Sequence, residues 1–161
     1  MMENETMTRS ERARAYFLEG YNCAQAVALA FADRVNMDRE ALAALASSFG
    51  GGMGRLREVC GAVTGMFLIL GLTEGYAGPE TGEIKAAHYA KVQALAKRFE
   101  EKKGTYICRD LLGLTEQRQD PTPEQRTSEY YQVRPCPDLV ALAAEILEEY
   151  FHENEERERQ K

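Results

Sequence analysis

Apolar residues recur at helical spacing along most of the chain. In segment 8–19, Ala13, Tyr16 and Phe17 share one side, Thr8 or Ser10 can cap the start, and Gly20 can close the end. Asn22 can cap a second helix, about 23–34, in which Val27, Ala28, Phe31 and Val35 are spaced for one face. Asp38 heads a short Ala/Leu-rich helix, about 39–48. A further helix is expected from near Glu58 to about Leu72. The longest amphipathic stretch, 83–102, aligns Ile84, His88, Val92, Leu95, Ala96 and Phe99, and Gly104 stops it. On that face His88 is expected in the core, and His152 is expected in solvent. Thr105 is expected to cap a short helix carrying Cys108, Leu111 and Leu112. A last helix is expected from about Pro137, with Leu139, Leu142, Ala143, Ile146, Leu147, Tyr150 and Phe151 inward. The charged residues 153–161 are expected to fray.

The breaks are as clear as the helices. Residues 50–54 hold four glycines in five positions, which a regular helix interior does not tolerate cheaply. Thr73–Gly82 reads as a loop, and 113–135 is polar and irregular, with room for a helical turn, and is broken at Asp120-Pro121-Thr122-Pro123. There is no internal repeat and no strand alternation. The pattern predicts an all-α fold: one compact bundle of five or six helices over residues 1–152, with a glycine-rich loop and a charged tail.

Composition narrows the function. The chain has 161 residues, 44% of them hydrophobic, enough for one domain with a sizeable core. Its net charge of −6 argues against general nucleic-acid binding. Residues 1–15 hold no apolar run that a secretory signal would need. The longest apolar stretch, Ala62–Leu72, has 11 residues, where a membrane span needs about 20. The expectation is a soluble cytoplasmic protein without nucleic-acid or membrane partners.

Four cysteines carry the candidate chemistry: Cys23, Cys60, Cys108 and Cys136. No two are close in sequence, which excludes paired zinc knuckles, a thioredoxin-type CxxC and a CxxCH haem site. A four-cysteine site assembled by folding stays open, and so does a set of four buried thiols acting as small hydrophobes. Each cysteine falls near a predicted helix start: after Asn22, after the glycine loop, after Thr105 and before Pro137. A helix N-terminus offers about half a positive charge and free N–H donors, which stabilise thiolate. Arg57, Arg109 and Arg134 lie within three residues of a cysteine, close to chance at this arginine and lysine density.

The glycine run does not match GxGxxG, and no GK[ST] follows it. Gly51, Gly52, Gly54 and Gly61 are instead candidates for bringing backbone N–H groups to a compact anionic cofactor beside Cys60. The alternative is a tight crossing between helices. Gly61 and Gly65, four apart, also allow a close helix approach.

The residues around Cys23 (Tyr-Asn-Cys-Ala-Gln-Ala), the run Phe-Gly-Gly-Gly-Met-Gly at 49–54, Cys60-Gly61-Ala62-Val63-Thr64-Gly65 and two later lone cysteines form a pattern. It resembles the C_GCAxxG_C_C family of redox-active proteins over about residues 10–150. A similar domain stands at the N-terminus of split-Soret cytochromes, where it looks like an iron–sulfur carrier. The resemblance implies redox chemistry with Cys23, Cys60, Cys108 and Cys136 as ligands of an iron–sulfur cluster, expected to be 2Fe–2S, serving an unidentified redox partner protein. Two alternatives remain. One is thiol–disulfide chemistry without a cofactor, with Cys60 as catalytic nucleophile and another cysteine resolving. The other is a four-thiolate site for zinc or another metal. A homodimer is compatible with all three.

Overall fold

The computed structural model describes residues 6–161. Helix α1 (Arg9–Glu19) begins at a reciprocal capping box, Thr8 with Glu11, and ends at Gly20, whose φ of 118° is left-handed. Helix α2 (Cys23–Ala30) has the same device in Asn22 and Gln25. Asp38 caps α3 (Arg39–Ala46) by accepting from the backbone N–H groups of Glu40 and Ala41. Two long helices follow, α4 (Gly61–Glu74) and α5 (Gly82–Lys103). Short helices α6 (Cys108–Leu111) and α7 (Ser128–Val133) lead to α8 (Cys136–Arg159). The fold is all-α and compact. Among the described residues, extended segments pair only at one antiparallel bridge, Val59 with Ile107.

Helix α2 is the hub. It packs against α1, α3, α4 and α8, and its small side chains Ala24, Ala26, Ala28 and Ala30 are fully buried. Small residues let backbones approach closely, so several helices share one axis. Gly65 completes the approach from α4, where a Cβ would fall 2.9 Å from the Val27 Cβ and 3.1 Å from the Ala24 carbonyl oxygen. Around this hub Phe17, Phe31, Leu42, Met66, Phe99 and Leu147 fill the core.

Several boundaries differ from the sequence reading. The second helix stops at Phe31 and continues only as a 3-10 turn, Ala32–Arg34. The fourth helix starts at Gly61 rather than near Glu58, because the preceding residues are tied to the segment before α6. Thr105 does not cap that helix: its hydroxyl accepts from the Ile107 N–H, and Ile107 stands at the N-cap position. Residues 153–159 form the last two turns of α8, anchored by Arg98 to Glu153 at 2.7 Å and Arg34 to Glu155 at 2.9 Å. His88 is half-buried rather than in the core, edge-on to Tyr76 with ring centres 5.7 Å apart. No helix among the described residues is long and apolar enough to cross a membrane.

Candidate functional site

Four separate segments bring the cysteines to one end of the bundle. Cys23 is the first residue of α2, Cys60 the N-cap residue of α4, Cys108 the first residue of α6 and Cys136 the first residue of α8. Cys60 therefore lies one step before the helical turn expected for it. Its N–H donates to the Tyr106 carbonyl at 2.8 Å, and the Cys108 N–H donates to the Glu58 carbonyl at 2.6 Å. These two bonds flank the Val59–Ile107 bridge and hold the Cys60 and Cys108 segments side by side. All four cysteines line a single cavity of about 730 Å³. Cys60 and Cys108 are buried, Cys23 and Cys136 are partly so, and all four are free thiols.

The glycine loop is a left-handed turn. Gly51, Gly52 and Gly54 have φ of 69°, 68° and 62°, and the Gly54 N–H closes onto the Gly50 carbonyl at 2.9 Å. Left-handed backbone costs an L-residue about 1–2 kcal/mol, which explains the glycines and marks Met53 and Arg55, also at positive φ, as strained. The turn also supplies closeness. A Cβ on Gly52 would lie 2.6 Å from the Cys108 Cβ, and a Cβ on Gly61 would lie 2.3 Å from the Cys23 Sγ. Gly51, Gly54 and Gly61 line the cavity, whereas Gly52 backs Cys108 from behind.

Burial dominates the electrostatics. It pushes the Cys60 thiol well above the ordinary cysteine range, and the nearby Cys23 sulfur adds to the effect. Cys136 is pushed up to about 12 by burial and then by Cys23. Cys23 is also raised by burial, opposed by a backbone N–H from Gly51. The buried cationic group at the site is Arg57, 3% exposed, whose Nη1 donates to the Cys108 Sγ at 3.5 Å. Among the described residues no three His, Cys, Asp or Glu side chains are arranged around a single metal ion.

The sequence reading passed over two contributors. Arg57 could not be told from chance by its position, yet it is the buried arginine at the cysteines. Part of the irregular stretch 113–135 wraps the cavity: Pro121, Pro123, Arg126, Tyr130, Tyr131 and Arg134 line it. Paired tyrosines near arginines, Tyr130 and Tyr131 with Arg126 and Arg134, were the available signal. Arg109 is not on the cavity wall and approaches Glu58 at 3.9 Å, whereas Arg134 lines the cavity while pairing with Glu124.

An anionic group held by these thiolates would find support in several of these contacts. Glycines stand where a Cβ would meet the Cys23 sulfur and the Cys108 Cβ, an N–H meets Cys23, and the buried Arg57 guanidinium donates to the Cys108 sulfur. No curated protein and no solved structure matches the chain. The family model described as "Putative redox-active protein (C_GCAxxG_C_C)" matches residues 21–150, so the chain belongs to the C_GCAxxG_C_C family.

Proposed function

We propose that the protein is an electron-transfer protein whose four cysteines hold an iron–sulfur cluster of the 2Fe–2S type. The observation that carries this reading is the meeting of Cys23, Cys60, Cys108 and Cys136, from four segments, on one cavity. When bound, such a cluster takes up and releases one electron at a time. The chain does the rest. Burial raises the Cys60 and Cys136 thiols, so thiolate there is favoured when a cation compensates its charge. That favours metal ligation over a free nucleophile at Cys60, because an attacking thiol needs a substantial thiolate fraction. The Gly51 N–H and the Arg57 guanidinium offset negative charge on Cys23 and Cys108. Buried walls around Cys60 and Cys108 limit water at the sulfurs. Four free thiols and a cluster suit a reducing compartment such as the cytoplasm, with a protein electron donor or acceptor.

Single Cys→Ser substitutions test the reading. Each of the four is expected to lower iron and sulfide content after purification without oxygen. If Cys60→Ser alone abolishes redox turnover, and substitution of one other cysteine traps a mixed disulfide, the thiol–disulfide alternative replaces it.

A further inference from the structure

Arg57 has more donors than the cysteines use. It is 3% exposed, sits at φ 59° and lines the cavity. Its Nε donates to the Gln119 Oε1 at 2.9 Å, and Nη1 to the Cys108 Sγ at 3.5 Å. Nη2 is buried without a hydrogen-bond partner, and no carboxylate among the described residues pairs with this guanidinium. Arginine stays charged in proteins, so it cannot escape by deprotonating. A buried cation with an unmet donor is costly, and an acceptor on a ligand relieves it. The other arginines of the wall are engaged. Arg126 donates to the Phe17 and Tyr21 carbonyls at the end of α1, Arg134 pairs with Glu124, and Arg55 donates to the Asp120 carbonyl at 2.6 Å.

The shape of the cavity says what kind of acceptor fits. At about 730 Å³ it falls within the range of small-molecule sites, about 300–1,000 Å³. Leu111, Leu112, Tyr130, Tyr131 and Leu139 give it apolar and aromatic walls. Arg57 is 3% exposed and on the cavity lining, which suits one acidic group of a small molecule better than a folded surface. We propose that the cavity binds a small organic anion. Its carboxylate or phosphate oxygen accepts from Arg57 Nη2, and its apolar body lies against Tyr130, Tyr131 and the leucines. The inference rests on reading this cavity as the redox site and adds a ligand of defined chemistry to it.

Calorimetric titration of the full chain, purified without oxygen, tests this with three probes: 1-naphthoate, its neutral counterpart 1-naphthamide, and acetate. A charge-assisted hydrogen bond is stronger than a neutral one, so naphthoate is expected to bind one-to-one and at least about tenfold tighter than naphthamide. It is also expected to bind tighter than acetate. Arg57→Gln should remove the preference for naphthoate over naphthamide. Leu112→Trp, which fills the cavity without changing charge, should weaken both aromatic probes. The proposal is overturned if naphthoate does not bind, if naphthamide matches it, if acetate matches it, or if Leu112→Trp leaves its affinity unchanged. Iron and sulfide analysis of the same samples separates the two readings. Cofactor without naphthoate binding sinks this inference alone. Naphthoate binding to a chain that never takes up iron sinks the cluster and leaves the anion site standing.

Discussion

Around Phe31, Leu70 and Leu147 the bundle is filled with apolar side chains that are fully buried. Around the four cysteines it is built differently. There the backbone turns left-handed, an arginine is buried, thiols line the walls, and space is left open. Helix α4 runs from one environment to the other. At its start a Cβ on Gly61 would fall 2.3 Å from the Cys23 sulfur, while Gly71 near its end has nothing within 4 Å of where a Cβ would be. The same residue type thus serves two ends under different constraints. At one end a side chain has room; at the other it would take the place of a sulfur. Strain and unmet polar groups collect at functional sites, and the packed end offsets their cost.

Substitutions can break this comparison. Leu147→Ala removes packing at the filled end and is expected to cost about 2–5 kcal/mol in denaturant unfolding. Iron content per folded molecule should stay as in the parent chain. Gly61→Ala forces an added methyl against the Cys23 Sγ and should cost about 1–3 kcal/mol, as overpacking does. Unlike Leu147→Ala, it should also deplete the cofactor. Retention of full iron content by Gly61→Ala would remove the distinction between the two ends. Gly71→Ala, on the same helix, should stabilise the protein by about 0.5–1 kcal/mol in the same assay.

Acidity sharpens the contrast further. In the cofactor-free chain the folded state keeps Cys60 and Cys136 protonated where the unfolded chain ionises them. Protons are then bound more tightly in the folded form, so this stabilisation is fully present below about pH 8.5. It is lost as pH rises through the folded values, about 12 for Cys136. Denaturation of chelator-treated protein between neutral and alkaline pH should show the loss, and loaded protein should show less of it. The smallest effect belongs to the surface. Arg9 donates to Asp33 at 2.9 Å and holds its carboxyl below the usual range. That contribution is present above the ordinary carboxylate range and lost as pH falls through the depressed value, so Asp33→Asn should slightly flatten the acid limb of the stability curve.

The helices and their packed core were legible in the sequence because local signals agreed with one another. Thr8, Asn22 and Asp38 cap helices in the structure as their positions indicated, and Phe17, Phe31, Leu95 and Leu147 lie inward as their spacing required. The cysteine end was legible only as four cysteines near helix starts and a glycine run. The left-handed course of Gly51–Arg55 depends on what the turn must touch, Cys108 through Gly52 above all, and no local pattern reports that. Arg57 was invisible for the same reason, since its burial comes from Gln119 and Cys108, far along the chain. The last turns of α8 carry no apolar stripe to announce them, because residues 153–159 are Asn154 and six charged side chains. Their partners Arg34 and Arg98 sit on other elements.

The most direct test is purification without oxygen, followed by a visible spectrum and analysis of iron, sulfide and zinc on one sample. Broad visible absorption with iron and sulfide in matched amounts is the result expected of four cysteines holding a cluster. A colourless, metal-free protein with four titratable thiols would contradict it.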